Sequence, residues 1–386
     1  MAEILYPDSI LSVIQKMTSK IKEDLDPDYI LLSGSFGKGS WLYLNDNLLS
    51  DFEFVFVCKK RWSLSKKKRL LNQLNETYPF EISLKGYLHS KILKKIISNY
   101  SFKNPGYVNL DFYDTFSKPN IIYSKYREDL NINLKPIDIP VWEAWRLFVN
   151  RLGNILSINI DQGQPKYLEK YYWLKIFEAI ADSYLIIRNE YTKDVNSRYK
   201  IFQYKLLAND ATLSSKCLDS FHSIKSALKA RKEHDMNLFD QSISKPKMLA
   251  IVNSWTTYLE CKLEVAEHFE DSNKTFIEKY NKNKSIQGNY LEVTGNFSKI
   301  VSNGLRLFKN RNNLINNKFK FYMFNYSWRH MVLLSVYTYF IEMNHSEKEY
   351  MLTKKVFSTI VNGREVFSFN ENDLLINILK YWKTLR

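Results

Sequence analysis

Two acids stand two residues apart, Asp51 and Glu53, in the run SDFEFVFV. The alternation of Phe52, Phe54 and Phe56 with these acids predicts a strand, and side chains at i and i+2 of a strand share a face. Two carboxylates crowded on one face are costly unless a cation compensates them. Mg²⁺ or Mn²⁺ fits, because a hard cation takes oxygen ligands and bridges phosphate oxygens. A pair of such ions can activate a hydroxyl and stabilise a leaving pyrophosphate. Just upstream lies SGSFGKGSW, Ser33–Trp41. A Gly-Ser turn, here Gly34-Ser35, offers backbone N–H groups and a hydroxyl to a triphosphate. Glycine suits that place because a Cβ would obstruct close approach. Lys38 reads as a further phosphate contact or a solvated loop lysine. Ser40 reads as a ligand contact or a turn stabiliser.

Glycines beside a lysine also suggest two other phosphate loops, and both fail. A Walker A loop needs G-x-x-x-x-G-K-[ST], whereas Lys38 is followed by Gly39 and Ser40 comes one place late. A protein kinase needs a V-A-I-K strand, an H-R-D loop and a D-F-G, and none of these strings occurs.

The elements that must position the acids follow from periodicity. Ile10, Val13, Ile14, Met17 and Ile21 share one helical face, and Asp26-Pro27 stops that helix. YILLSGS reads as a strand feeding the glycine loop. SLSKKKRLLNQLNETY reads as a helix capped by Ser63 or Ser65. PFEISLKGY, YVNLDFYDTF and NIIYSKY read as strands, with a helix over KILKKIISNY. Strands alternating with helices imply a small α/β domain over 1–136. From 137 to 386 the signals are helical, with a polar, Asn/Lys-rich stretch at 271–297 that reads as a mobile loop.

LLSGSF followed by SDFEFVF resembles the signature of the DNA-polymerase-β-like nucleotidyltransferase superfamily: an apolar residue, Gly, Gly or Ser, a spacer, then Asp-apolar-Asp/Glu-apolar. The Asp-x-Glu version is similar to antibiotic nucleotidyltransferases, and the long turn to bacterial members associated with surface polysaccharides. Fifteen residues separate Ser35 from Asp51, a few more than the family's usual spacer. SWLYLNDNLL reads as an insertion, a small hairpin with Asn45-Asp46-Asn47 at its tip. The resemblance covers about the first 130 residues. It implies an α/β (α+β) nucleotidyltransferase domain with a mixed sheet, followed by an all-helical C-terminal domain. It implies an NTP as substrate, Asp51 and Glu53 as metal ligands, and a third acid on a neighbouring strand. Glu81, as ligand or base, and Asp111 both have the apolar-acid-apolar pattern, and the choice stays open; Asp114 reads as structural. In the helical half, Lys175 and Asp182 lie seven apart on one face. Such helices resemble those that turn a lysine to the nucleotide in small-molecule nucleotidyltransferases; a structural ion pair is the other reading.

The expected activity is Mg²⁺-dependent transfer of a nucleoside monophosphate to an acceptor, first a small molecule or saccharide. An oligonucleotide or cyclic-nucleotide signal synthase and an RNA 3′-end transferase are alternatives. A silent nucleic-acid-binding or toxin–antitoxin protein is a third. The formal charge of +15 keeps nucleic acid among the partners, as does the basic run Lys59–Arg69, which also reads as a solvated helix start. Cys58, Cys217 and Cys261 form no CxxC, which argues against a disulfide framework or zinc site. The N-terminal stretch reads as a helix and not a signal peptide. No stretch reaches the ~18 apolar residues of a membrane span, and a cytoplasmic location is expected.

Overall fold

A computed structural model describes residues 4, 6–90, 92, 108–126, 130, 132–139, 141–158, 165–204, 217, 220–240, 244–262, 328–343, 350–358 and 365–383. The chain divides into two units. The first comprises Met1–Pro140, Arg188–Asn209 and His222–Asp240; the second comprises Val141–Ile187, Asp210–Phe221 and Gln241–Arg386.

The first unit is built on a mixed four-stranded sheet. Its strands are β1 (Tyr29–Ser33), β4 (Phe52–Cys58), β5 (Ile82–Leu88) and β6 (Asn120–Ser124), in the order β5-β4-β1-β6. β1 is antiparallel to β4 and β6, while β4 and β5 run parallel. Alternation in β4 divides its side chains between two faces. Phe52, Phe54 and Phe56 join Ile30, Leu32, Ile82 and Leu84 in one core. Helix α1 (Asp8–Leu25) adds Ile10, Ile14, Met17 and Ile21 to it, and α3 (Leu64–Thr77) adds Leu70 and Leu74. Both helices present the one-face spacing that burial demands. α1 ends at Asp26, whose left-handed φ of 45° turns its N–H onto the Lys22 carbonyl. Ser63 caps α3, accepting from the Lys66 N–H.

The hairpin in the long turn is present: β2 (Tyr43–Leu44) pairs with β3 (Asn47–Leu48). Asn45 and Asp46 form its tip at φ 47° and 64°, the left-handed pair that a two-residue hairpin requires. The expected strand across YVNLDFYDTF is instead a helix, α4 (Leu110–Phe116). Asn109 makes the difference. Its side-chain oxygen accepts from the Phe112 N–H at 2.7 Å and nucleates the first turn. Phe112 and Phe116 then lie one turn apart and both meet Tyr87 of β5. The helix expected over KILKKIISNY, apart from Ile92, and the polar stretch 271–297 lie outside the described residues.

The second unit is helical among its described residues. Its helices include α5 (Trp142–Ile158), α6 (Lys166–Ile187), α9 (Lys245–Lys262), α10 (Trp328–Met343), α11 (Met351–Phe357) and α12 (Glu371–Lys383). Polar positions in these apolar helices have local partners. Asn150 accepts from the Trp382 indole N–H at 3.2 Å, and Ser183 donates to the Ala144 carbonyl at 2.8 Å. Gly153 leaves room for the Trp382 ring, which a Cβ would meet at 2.4 Å. Two further helices are α7 (Val195–Tyr204) and α8 (Phe221–Lys232). α7, and α8 from His222 onward, belong to the first unit. No helix among the described residues is long and apolar enough to cross a membrane.

Candidate functional site

The register of the sheet puts the chemistry in one row. Ser33 of β1 pairs with Glu53 of β4, and Glu53 pairs with Ser83 of β5. Paired residues share a face, so Ser33, Glu53 and Ser83 lie side by side across three strands. Lys85 follows on the same face, opposite Val55. Over this face lies α4, anchored by the Ser33 and Thr115 hydroxyls at 2.8 Å and by the two aromatic rings on Tyr87. α4 carries Asp111 in its first turn.

The Lys85 ammonium lies 3.2 Å from Glu53 Oε2 and 4.0 Å from Asp111 Oδ2. Burial pushes the Glu53 carboxyl above its usual range; Lys85 pulls it back, and the charges of Asp51 and Asp111 push it up again. Burial pulls the Lys85 ammonium down, but Glu53 and Asp111 outweigh it and its pKa stands raised. Burial also raises Tyr87, against the pull of Lys85. Asp51, Glu53 and Asp111 thus form one electrostatic group with Lys85.

The glycine turn closes on this group. Gly34 follows β1 at φ +58° and opens the single-turn helix α2 (Gly34–Gly37). A Cβ there would come within 2.2 Å of Glu53 Oε1. Glycine is therefore demanded twice, by backbone conformation and by the carboxylate packed against its Cα. The Ser35 Oγ is buried without a hydrogen-bond partner, as is the Ser83 Oγ beside Glu53 in the sheet. Orphaned buried hydroxyls cost stability and call for an explanation, a bound ligand among them.

The remaining expected residues fall elsewhere. Glu81 is exposed just before β5; its carbonyl accepts from the Phe52 N–H at 2.9 Å. It is not among the groups whose charges bear on Glu53. Lys38 turns to Asp114 at 2.6 Å and to the Tyr191 hydroxyl at 3.3 Å. Ser40 serves the turn: its N–H donates to the Ser35 carbonyl at 2.8 Å, and its own carbonyl accepts from Arg231 at 3.1 Å. Lys175 belongs to the second unit, with its ammonium 4.1 Å from the centre of the Tyr171 ring. Trp62, in the basic run, packs its ring edge-on against Phe56.

Sequence reasoning missed Lys85, although the residue stood in plain view within a strand. It also missed the later residues that brace the loop. Tyr191 donates to Asp114 at 2.9 Å, and Lys193 to the Asp114 carbonyl at 3.3 Å and to the Lys118 carbonyl. The His234 ring stacks on Trp41 at 3.9 Å, and its Nδ1 lies 3.0 Å from the Trp41 carbonyl. Burial holds the His234 pKa down.

Asp51, Glu53 and Asp111 carry carboxylate oxygens, the donor type that a hard divalent cation takes. Among the described residues, no group of three or more His, Cys, Asp or Glu stands close enough to hold a metal ion by itself. The remaining ligand positions would fall to water or substrate phosphate, as is usual for Mg²⁺. The chain matches no protein-family model and no curated protein.

Proposed function

We propose that the first unit is a divalent-metal-dependent nucleotidyltransferase. One observation carries the reading: the Glu53 carboxylate packs against the Cα of Gly34 while sharing its electrostatic field with Asp51 and Asp111. A glycine-serine turn and a carboxylate group in direct contact can hold a metal-bound triphosphate between them.

Asp51 and Glu53 would hold the ion, with Asp111 as the third acid in preference to Glu81. The bound ion would supply neutralisation of the phosphate charge. The Ser35 hydroxyl would donate to a phosphate oxygen. An acceptor hydroxyl would attack the α-phosphorus in line, giving its proton to Asp111 or to water, while pyrophosphate leaves. Positioning and charge complementarity carry most of the rate in such transfers. A small molecule or saccharide is the first acceptor class. The second is a polyanion, favoured by the exposed cations Lys59, Lys60, Arg61, Lys66, Lys68 and Arg69.

Incubation with each α-labelled NTP and Mg²⁺, with and without RNA, tests the reading. The expected result is labelled product and pyrophosphate from the native chain. The absence of both labelled product and Mg²⁺-dependent NTP binding would overturn it. Salt-sensitive RNA binding without Mg²⁺ would replace it with a silent, nucleic-acid-binding role.

A further inference from the structure

We propose that the basic run Lys59–Arg69 is a docking surface for a single-stranded polynucleotide, held by its phosphates at the end of the sheet away from the acid group. The proposal goes beyond the nucleotidyltransferase reading and does not depend on it.

Three observations carry it. The first is uncommitted charge. Lys59, Lys60, Arg61, Lys66, Lys68 and Arg69 are exposed, and among the described residues none of them forms a salt bridge. Burial lowers the pKa of half-buried Lys67, and no carboxylate opposes the shift. Two acids at this end of the sheet are engaged elsewhere. The Asp28 carboxylate accepts from the Lys59 backbone N–H at 2.5 Å, and Asp26 meets Lys125 at 2.5 Å. The first turn of α3 holds no acid, and cations at that end of a helix oppose its dipole, so helix stability does not account for them. The second observation is that the cations are held in place. Trp62 sets its ring edge-on against Phe56, and a Cβ at Gly86 would meet that ring at 2.5 Å. The indole thus pins the run to β4 and β5, with Lys59–Arg61 before it and Lys66, Lys68 and Arg69 after it. Leu70 and Leu74 anchor α3 in the core. Charges fixed in this way lose less freedom on binding than charges on a loose tail.

The third is what surrounds the charges. The Lys59 ammonium stands 3.8 Å from the centre of the Tyr126 ring, which is 39% exposed. An exposed aromatic ring beside fixed cations is the pairing that binds single strands, one stacking on bases and the other tracking phosphates. Leu64 is the exposed large apolar residue of the run, and Leu70 and Leu74 face the core. A membrane surface would call instead for a continuous apolar face to insert. Lys59 follows the last residue of β4 and lies six residues from Glu53, about 20 Å along a strand. The docking surface is therefore distinct from the acid group.

Fluorescence anisotropy of a labelled oligouridylate tests this, with EDTA present, salt varied from about 50 to 200 mM, and thermal melting as the check on folding. Four engaged phosphates would give a log–log salt slope of about −2.8 and about a fiftyfold loss of affinity across that range. Arg61→Gln/Lys66→Gln/Lys68→Gln/Arg69→Gln is expected to flatten the slope by about 2 or more and to weaken binding at low salt by about tenfold or more. Lys66→Gln/Lys68→Gln, with a slope flatter by about 1.4, gives the same comparison if the fourfold variant does not fold. Lys16→Gln/Lys135→Gln/Lys200→Gln/Lys229→Gln removes the same charge from exposed lysines elsewhere in the first unit and should keep the native slope. Asp51→Asn/Glu53→Gln should bind the oligonucleotide as the native chain does. No binding by the native chain, equal losses in the two fourfold variants, a tighter hold on a duplex, or capture by phosphatidylserine vesicles in place of the oligonucleotide would each overturn the proposal. None of these touches the nucleotidyltransferase reading, which stands or falls on labelled transfer and Mg²⁺-dependent NTP binding.

Discussion

Two lysine–carboxylate pairs lie in the same unit, and they are built to opposite ends. Lys38 and Asp114 meet at 2.6 Å with side-chain exposures of 17% and 6%. Tyr191 donates to Asp114 as well, at 2.9 and 3.1 Å to its two oxygens. That carboxylate is enclosed and held by two donors. Lys85 and Glu53 meet at 3.2 Å, at 42% and 24% exposure, and the charges of Asp51 and Asp111 bear on Glu53 as well. The first pair is closed and holds the glycine loop to α4. The second is open to solvent. On the proposed reading the open pair is the one that meets substrate, while the enclosed pair of the same residue types is architecture.

The comparison breaks most sharply at the open pair. Asp51→Asn and Glu53→Gln are each expected to reduce nucleotidyl transfer by about a thousandfold or more, equivalent to ~4 kcal/mol of barrier. The fold should survive. Burial raises the Glu53 pKa, so its ionised form is favoured less in the folded chain than in the unfolded one. The stabilising contribution of a raised carboxyl is present below its unfolded pKa, near 4.3, and fades as pH rises through the folded value. At neutral pH, Glu53→Gln should therefore melt no lower than the native chain. Turnover close to native in either variant would refute the assignment.

At the closed pair the outcome reverses. Asp114→Ala removes a buried carboxylate that meets both Lys38 and Tyr191. Removing one member of a buried pair costs about 3 kcal/mol or more. Urea unfolding should show the loss as a lower midpoint at unchanged slope. Lys38→Met should cost less, because the Tyr191 hydroxyl still serves the carboxylate. Equal midpoints for Asp114→Ala and Glu53→Gln would erase the distinction between the pairs.

Gly34→Ala touches the turn between them. An alanine at φ +58° is strained, and its Cβ would lie 2.2 Å from Glu53 Oε1. Strain of that kind costs about 1–3 kcal/mol, and moving Glu53 should also reduce transfer. The double variant Gly34→Ala/Glu53→Gln should be no less active than Glu53→Gln alone. Full native activity in the single variant would show that the contact is not needed.

What was legible in the sequence is what repeats over short distances. The period of two in SDFEFVFV exposed Asp51 and Glu53, and the helical spacing of Ile10, Ile14, Met17 and Ile21 exposed α1. Lys85 was hidden because its meaning depends on the parallel register of β5 against β4, which no local pattern records. α4 was misread because a short run of apolar and aromatic residues fits strand or helix until the Asn109 cap decides it. Tyr191, Lys193, Arg231 and His234 were out of reach for a plainer reason. They return to the first unit after helices that belong to the second.

The smallest expected effect lies in the closed region and has a definite sign. Lys193 donates to the carbonyls of Asp114 and Lys118, just at and beyond the end of α4. Burial lowers its pKa to about 8, against the pull of the Asp114 charge. An unfolded lysine keeps its proton to about 10.4. Between those values the unfolded chain binds the proton and the folded chain has released it, so stability rises with pH through that window. Below pH 8 both states are protonated, and the cost of enclosing the ammonium is felt in full. For a side chain only partly enclosed, the rise between pH 8 and 10 should be about 1 kcal/mol once solvent screening is allowed for. Lys193→Met cannot release that proton. The native-minus-variant difference in unfolding free energy should therefore climb with pH across the window, while the Lys85→Met difference should not, because the Lys85 pKa is raised. A flat native-minus-Lys193→Met difference from pH 7 to 10 would mean that Lys193 is solvated in the folded chain, and that α4 ends on backbone hydrogen bonds alone.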